Sequence, residues 1–231
     1  MNFDDLYHVY AAWQIKRYTA FKNAKKDIIL EIGGGYGNLC KKIKKLLPSS
    51  TYFIVDVPEV LLIQNYYLSK STDLNILNMT GKTSKINNFT EYDVVLIPFY
   101  SLEEFDIKPN IVINCRSFGE MPKLTLNNYF DWIQNNMTEK GLLYTVNRYV
   151  FTKSKDKNKI RDYPFDNNWL VTLSKPQWLQ THLHEFLLER TAWKNNSLEF
   201  LLKSFPITTP PPGPIMEKIL PQNVWIKNQI K

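Results

Sequence analysis

Glycine, cysteine and histidine are scarce in this sequence. Its 231 residues include 8 glycines, 2 cysteines and 3 histidines. The two cysteines, Cys40 and Cys115, indicate neither a disulfide framework nor a zinc site. Catalytic zinc normally takes three protein ligands, and the neighbouring pair His182 and His184 is too small for that. The sequence therefore predicts no metal site.

Long hydrophobic runs are also missing. No apolar stretch is long enough to span a bilayer. Residues 1–5 lack a basic region followed by an apolar core, which predicts no signal peptide. We therefore expect a cytoplasmic protein without a membrane span. The oligomeric state is left open, with a homodimer as one option.

The composition is that of one folded domain with short extensions. Hydrophobic residues make up 44% of the chain, enough for a sizeable core, and the formal net charge is +7. A basic balance can indicate nucleic acid as a partner. However, the lysines of residues 41–45 lie between the apolar residues Leu39, Ile43, Leu46 and Leu47, which share a helical face, and this predicts that the lysines form the solvated back of the helix. We do not expect nucleic-acid binding.

The most informative segment is residues 28–37 (IILEIGGGYG). Its order predicts a buried strand, a glycine loop and then a helix, and a loop without Cβ atoms lets the backbone approach a ligand. G-x-G-x-x-G binds dinucleotides, whereas an acid followed by G-x-G-x-G is typical of S-adenosylmethionine enzymes. Here the acid is Glu31, and Asn38 stands where the third dinucleotide glycine would be. This sequence pattern favours S-adenosylmethionine as the ligand. The alternative is an ordinary glycine turn without a ligand. The predicted cofactor contacts in this segment are Glu31, Gly33, Gly34, Gly35 and Gly37.

The order of strands and helices predicts the fold class. Strands alternate with helices after residue 27, which indicates an α/β Rossmann-like domain with a mostly parallel seven-stranded sheet and helices on both faces. Residues 1–26 are predicted to form a helical lid, residues 27–205 the main domain and residues 206–231 a proline-rich tail.

The C-terminal part of the domain predicts two further features. A helix is expected over residues 176–183. The runs 186–190 and 198–202, joined by residues 195–197, are predicted to form a closing antiparallel hairpin.

In such a sheet, ligands bind beyond the carboxyl ends of the strands. Asp56 closes the second strand, where a carboxylate can accept both ribose hydroxyls of an adenosine; a cap for the helix that starts at Pro58 is the alternative. Pro98 and Phe99 end the next buried strand, where they would pack on adenine or belong to the core. The cofactor set is completed by Val57 and Asn114.

The segment Asn114–Met121 (NCRSFGEM) combines an amide, a cation, a hydroxyl and a carboxylate. Glu120 is a candidate general base, because burial could bring its pKa near the operating pH; orienting the next helix is the alternative. His182 is the second candidate base; a surface or interface histidine is the alternative. In an extended stretch, His182 and His184 would lie on the same face. The acceptor contacts predicted at the strand ends are Arg116, Ser117, Asn147 and Arg148.

Three segments together resemble a known family. Residues 29–37, 52–68 and 113–121 are similar to the sugar O-methyltransferase family, whose members methylate sugar hydroxyls on glycans and glycosylated natural products. The D-x-P-E helix start and the S-F-x-E-M loop are its more specific parts, and residues 163–169 extend it. The resemblance implies a class I methyltransferase fold and puts Glu120 and Asn147 near the acceptor. It adds Tyr163 to the acceptor contacts.

The sequence therefore predicts an S-adenosylmethionine-dependent O-methyltransferase of sugars, acting in polysaccharide or glycosylated-metabolite biosynthesis. Methyl transfer would be an in-line displacement in which the protein supplies alignment, desolvation and a general base. One alternative is a partner protein in glycan assembly that keeps the fold without catalysis. Another is an RNA methyltransferase, which would bind RNA in a salt-sensitive way.

Overall fold

The computed structural model describes residues 3–19, 26–81, 88–89, 91–153, 158–178 and 180–207. The chain divides into two compact units, residues 1–113 and residues 114–231. Within the described ranges, no helix has both the length and the apolar character that a membrane span requires. The predicted lid and tail extend beyond these ranges at residues 1–2, 20–25 and 208–231.

The first unit carries the glycine loop. Its elements are α1 (Phe3–Thr19), β1 (Ile28–Ile32), α2 (Asn38–Leu46), β2 (Thr51–Asp56), α3 (Pro58–Ser71), β3 (Ile76–Asn78), β4 (Val94–Pro98), a 3-10 helix (Phe99–Glu104) and the start of β5 (Ile111–Cys115). The strands are parallel and pair in the order β3-β4-β2-β1-β5. Ile32 is the partner of Val55, so β1 and β2 end side by side.

The second unit is built around antiparallel strands. Its elements are a 3-10 helix (Phe118–Glu120), α4 (Lys123–Asn136), β6 (Leu142–Arg148), a 3-10 helix (Ile160–Asp162), β7 (Trp169–Pro176), β8 (Leu183–Arg190) and α5 (Ser197–Lys203). Strand β8 pairs antiparallel with both β6 and β7.

The described strands form one mixed, mostly parallel sheet in the order β3-β4-β2-β1-β5-β6-β8-β7. The predicted α/β class with a C-terminal antiparallel hairpin is confirmed. The predicted number of seven strands is wrong, because this sheet has eight strands.

The hairpin consists of other residues than those predicted. It joins β7 to β8, whereas residues 198–202 lie in the helix α5. Leu198 and Leu202 are both buried, and a spacing of four puts them on one face of a helix. The helix expected over residues 176–183 is wrong for the part that the structure describes: Pro176 ends β7, Leu183 begins β8, and the backbone N–H of Gln177 donates to the carbonyl of Leu183 at 2.9 Å.

One lysine of the predicted solvated face of α2 is buried. Lys44 is 4% exposed, and its Nζ donates to the carbonyls of Pro48 at 2.8 Å and Ser50 at 2.5 Å. The same atom lies 3.0 Å from Asp93 Oδ1. The expectation of a solvated side chain is therefore wrong at Lys44, because oxygens that follow the helix and an acid elsewhere in the unit surround its ammonium group.

Candidate functional site

The glycine loop connects the ends of β1 and α2. Gly33 N donates to Val55 O at 2.9 Å, and Gly37 N donates to Gly34 O at 3.0 Å. Gly33, Gly35 and Gly37 have φ of 74°, 56° and 94°, in the left-handed region that favours glycine. A Cβ added to Gly35 would meet no atom within 4 Å. The loop therefore exposes the backbone of Gly35 to open space.

Gly34 faces the protein instead. A Cβ there would lie 2.7 Å from Ile54 Cγ2 and 3.2 Å from Glu31 Oε2. Only glycine fits this close approach without displacing its neighbours. We infer that Gly34 packs against the protein interior and supports the loop, and that it does not contact a ligand.

Asp56 ends β2 beside the loop. Its Oδ2 accepts hydrogen bonds from Gly34 N at 3.0 Å and Gln64 Nε2 at 2.9 Å, and its Oδ1 accepts one from Val57 N at 2.9 Å. Burial raises the pKa of the carboxyl, although the hydrogen bonds from Val57, Gln64 and Gly34 oppose the shift. The N-cap residue of α3 is Val57, and no side chain caps that helix. The capping alternative for Asp56 is therefore not supported.

An apolar pair flanks this carboxylate. Asp56 and Pro98 are partners in the parallel pair β2–β4, so Val57 and Phe99 follow from adjacent strand ends. Val57 is 42% exposed and Phe99 is 43% exposed, whereas Pro98 is buried. Exposed apolar side chains next to a carboxylate suit a ligand with a flat aromatic part and hydroxyl groups. Pro98 belongs to the core.

Glu31 lies behind the loop. It is 2% exposed, and Tyr52 donates its hydroxyl hydrogen to Glu31 Oε2 at 2.9 Å. Burial raises the pKa of Glu31 to about 8; the hydrogen bond from Tyr52 lowers it and the charge of Asp56 raises it further. We infer that Glu31 supports the loop from inside, because its carboxyl does not reach the open side of Gly35.

Sequence reasoning missed Gln64, on α3. The residue is fully buried, and its Nε2 donates to Gly35 O and to Asp56 Oδ2, each at 2.9 Å. A glutamine in a helix is ordinarily a surface residue, so the sequence has no signal for this role.

Asn38 stands in the sequence where a dinucleotide loop has its third glycine. Its Nδ2 lies 3.1 Å from Asp5 Oδ1 and 2.9 Å from His8 Nδ1, and its Oδ1 accepts a hydrogen bond from Tyr67 at 3.0 Å. The side chain thus joins α1, α2 and α3. Dinucleotide loops use a glycine here for close packing of the helix on the strand, so this buried amide departs from that pattern.

In the second unit, three predicted residues form one polar network. Asn147 Nδ2 donates to Asn114 Oδ1 at 2.8 Å and to Thr145 Oγ1 at 2.7 Å, and Asn114 Nδ2 donates to Ser117 Oγ at 2.6 Å. Both asparagines are at most 1% exposed. Asn147 Oδ1 accepts no hydrogen bond within the described ranges. Asn147 Oδ1 is itself buried, so this acceptor faces the protein interior.

His182 lies near two predicted acceptor contacts. It precedes β8 in the hairpin turn, and Arg148 at the end of β6 is the partner of Leu183. Arg116 follows β5 with φ of 72°, and its N donates to Val146 O at 2.7 Å. Partial burial lowers the pKa of His182, and the charges of Arg148 and Arg116 lower it further. The imidazole is therefore neutral at neutral pH, as a general base must be.

Two predicted residues do not have the surroundings that were expected. Glu120 is exposed, so the burial on which its role as a base depended is absent. Tyr163 is 6% exposed and contacts the rings of Phe118 and Phe130, with centroids 6.0 Å and 5.5 Å away. Its burial in an aromatic cluster does not fit contact with an acceptor.

His184 belongs to the core. Its Nδ1 lies 2.7 Å from the hydroxyl of Tyr149, and its Nε2 lies 2.9 Å from Ser174 Oγ. Burial lowers its pKa to about 3, which leaves the ring neutral. The expected shared face of His182 and His184 is wrong, because the first is partly exposed in a turn and the second is 3% exposed. The described residues contain no group of three or more side chains that could hold a metal ion.

The loop with the S-F-x-E-M motif, residues 117–121, is held by a buried side chain that the sequence did not indicate. Asn158, 4% exposed, donates through Nδ2 to the carbonyls of Gly119 at 3.2 Å and Met121 at 2.6 Å. An asparagine in a charged, loop-like stretch predicts a turn rather than a buried support for another loop.

No family model matches the chain. Among curated proteins, the uncharacterized protein MJ0086 of Methanocaldococcus jannaschii is 24% identical over 185 residues, which are 80% of this chain and 42% of that protein. The chain thus spans less than half the length of this curated relative. The resemblance to the sugar O-methyltransferase family stays a prediction.

Solved methyltransferase structures share the fold. The plantazolicin methyltransferase BpumL, solved with S-adenosylhomocysteine (SAH), has a TM-score of 0.52 and 11% identity, covering 79% of this chain and 83% of BpumL. The mitomycin 7-O-methyltransferase MmcR has a TM-score of 0.51 and 11% identity, with 79% and 54% covered. PH1948 of Pyrococcus horikoshii, a candidate RNA methyltransferase, has a TM-score of 0.52 and 13% identity, with 79% and 81% covered. The chain therefore has the Rossmann-like fold of class I methyltransferases.

Proposed function

We propose that this chain is an S-adenosylmethionine-dependent methyltransferase. The observation that carries the proposal is the open face of Gly35 beside Asp56. A Cβ at Gly35 would enter empty space, and among the described residues Asp56 Oδ1 accepts one hydrogen bond, from Val57 N, although a carboxylate oxygen accepts about two. The SAH bound to BpumL supports the same ligand class.

The residues present fit an adenosine. The loop around Gly35 offers close backbone approach, Asp56 can accept ribose hydroxyls, and Val57 and Phe99 offer apolar surface for adenine. When bound, S-adenosylmethionine supplies a methyl group on a sulfonium, which is already a strong donor. The protein then has to align the acceptor oxygen and exclude water.

We further propose a sugar hydroxyl as the acceptor. This rests on the resemblance of the S-F-x-E-M loop and on the polar groups of the second unit. Arg116 and Arg148 would donate hydrogen bonds to sugar oxygens, and the buried amide of Asn147 supports this region through Asn114, 2.8 Å away. His182 would remove the hydroxyl proton, because its lowered pKa keeps the imidazole neutral. Exposed Glu120 is the weaker candidate base.

Calorimetry with SAH tests the cofactor assignment. Gly35→Arg should weaken binding by at least about a hundred-fold, or about 2.8 kcal/mol, because the side chain would fill the ligand's space. Gly81→Arg is the matched control: Gly81 also has a positive φ, of 72°, and open space around its Cβ, so both variants carry the same backbone strain. Equal affinity in the wild type and the Gly35→Arg variant would contradict the assignment.

Release of SAH over a panel of sugars and nucleotide sugars tests the reaction. His182→Gln should lower kcat by about a hundred-fold or more, within the usual contribution of a general base, and leave SAH affinity unchanged. Glu120→Gln should retain wild-type turnover, and the reverse order would make Glu120 the base. Binding of SAH without turnover on any acceptor favours the non-catalytic partner protein. Turnover only with RNA, abolished by salt, favours the RNA methyltransferase.

A further inference from the structure

The amide of Gln64 links the two parts of the proposed adenosine site. Its Nε2 lies 2.9 Å from Gly35 O in the glycine loop and 2.9 Å from Asp56 Oδ2 at the end of β2. The side chain has no exposed surface. Both partners are acceptors, so only the NH₂ group of the amide can face them, and the orientation of the amide is determined.

The first consequence concerns Asp56. Gly34 N and Gln64 Nε2 donate to Oδ2, whereas Oδ1 has Val57 N as its single donor among the residues that the structure describes. The carboxylate is thus fixed in one rotamer, in which Oδ1 keeps accepting capacity for a ligand hydroxyl. Without Gln64, rotation of the carboxylate would lose only the hydrogen bonds from two backbone N–H groups.

The second consequence concerns Gly35. Its carbonyl is bound on the protein side by Gln64, while the position of its missing Cβ is open. Glycine tolerates several backbone conformations at little energy difference, so a loop of glycines needs such a contact to keep one. The contact with Gln64 thus holds the Gly35 carbonyl on the protein side, away from the open side of the loop.

We propose that Gln64 is a positioning residue for the nucleoside of S-adenosylmethionine, acting through Asp56 and the Gly35 carbonyl. It preorganises the site before the ligand binds, which lowers the entropic cost of binding. The inference rests on the proposed function, because it assumes that this site takes the adenosine of the cofactor.

The test compares two buried glutamines of the same unit. Gln64→Leu removes the amide next to the site. Gln14→Leu removes another buried amide, 3% exposed, whose Nε2 donates to the hydroxyl of Tyr10 at 2.9 Å on α1. Calorimetry should show SAH affinity weakened about ten-fold by Gln64→Leu, or about 1.4 kcal/mol, and changed less than two-fold by Gln14→Leu. Melting temperatures measured in parallel separate loss of fold from loss of affinity.

A double-mutant cycle with Asp56→Asn shows whether Gln64 acts through the acid. In the Asp56→Asn background, Gln64→Leu should weaken SAH binding by clearly less than its ten-fold effect in the wild type, because coupled residues are not additive. A residue with a purely structural role would give the same loss in both backgrounds.

Gln64→Glu gives a second, independent measurement that remains informative even if Gln64→Leu does not fold. Its carboxyl would face the acceptors Gly35 O and Asp56 Oδ2 and could donate only when protonated. The SAH affinity of this variant, divided by that of the wild type at each pH, should therefore fall as the pH rises from about 5 to about 8. Division by the wild-type value removes the titrations that both proteins share, so the remaining pH dependence belongs to the new carboxyl and its coupling to Asp56.

The outcomes separate the two proposals. If the wild type binds SAH, and Gln64→Leu binds as tightly or Gln64→Glu shows no pH dependence of its own, the role of Gln64 is overturned and the proposed function stands. If the wild type binds no SAH, the proposed function fails, and this inference fails with it.

Discussion

At the scale of single residues, Glu31 shows how burial changes the chemistry of a motif position. The acid before the glycine loop is 2% exposed and shares a hydrogen bond with Tyr52. Burial raises its pKa to about 8, so the carboxyl is mostly protonated at neutral pH. A protonated carboxyl packs behind Gly34 without bringing a second negative charge next to Asp56.

The raised pKa predicts a pH-dependent stability. The unfolded state loses the Glu31 proton near its ordinary pKa, and the folded state keeps it up to about pH 8. Between these values the folded state binds more protons, so the stabilisation present at low pH is lost as the pH rises. Relative to Glu31→Gln, the wild-type free energy of unfolding should fall by up to about 1.4 kcal/mol per pH unit in that window.

Urea unfolding of both proteins from about pH 5 to about pH 8 measures this difference. The dependence of the free energy of unfolding on urea concentration should stay the same, because neither Glu31→Gln nor the change in pH alters the surface exposed on unfolding. Parallel stability curves for the wild type and Glu31→Gln would contradict a raised pKa at Glu31.

At the scale of elements, Asn38 joins three helices at the start of α2. Its amide contacts Asp5 and His8 on α1 and Tyr67 on α3. A further ion pair joins Lys42 to Asp5 at 3.4 Å. Helix α1 therefore lies beside the glycine loop because of polar contacts as well as its buried Tyr7, Ala11 and Ile15. The lid role of residues 1–26 stays a prediction.

Asn38→Ala should release α1. The variant leaves Asp5, His8 and Tyr67 with fewer partners, and we expect a loss of about 1–3 kcal/mol in the free energy of unfolding. Hydrogen exchange of residues 3–19 should accelerate, while that of β1 and β2 should not change. Asn136→Ala is the control, since Asn136 Nδ2 donates within its own helix to Trp132 O at 2.9 Å. Unchanged exchange in α1 would contradict the role of Asn38.

The elements also show where periodicity misleads. Leu6, Val9 and Trp13 recur at helical spacing, yet they are 43%, 47% and 51% exposed. The opposite face, with the small Ala11 and Ala12, is buried where α1 packs on α2. Apolar spacing predicts a helix, but close approach of two helices decides which face is inside.

At the scale of the whole molecule, ligand binding should stabilise the fold. SAH at about one hundred times its Kd should raise the free energy of unfolding by about 2.7 kcal/mol, because it binds only the folded state. NAD at the same concentration should give no shift, since the third glycine of a dinucleotide loop is replaced by the buried Asn38. Thermal unfolding with each ligand measures both effects. A shift with NAD and none with SAH would reverse the assignment of the cofactor.

Much of the fold was predictable because its signals are local. The apolar runs of β1, β2, β4 and β5 identify buried parallel strands, and the glycine loop and Asp56 follow the strand ends. The C-terminal elements were harder to predict. The short apolar run that contains Leu198 and Leu202 is compatible with a strand or a helix, and only packing decides between them.

The sequence by itself determined the α/β class, the glycine loop and the acid at the end of the second strand, because backbone conformation and apolar periodicity are properties of neighbouring residues. The tertiary structure alone decided that Gln64 joins Gly35 to Asp56, that Asn38 joins three helices, and that His184 is a core residue. Residues far apart in the chain make those contacts. Burial and hydrogen bonding then set the pKa values and available acceptors that no local pattern encodes.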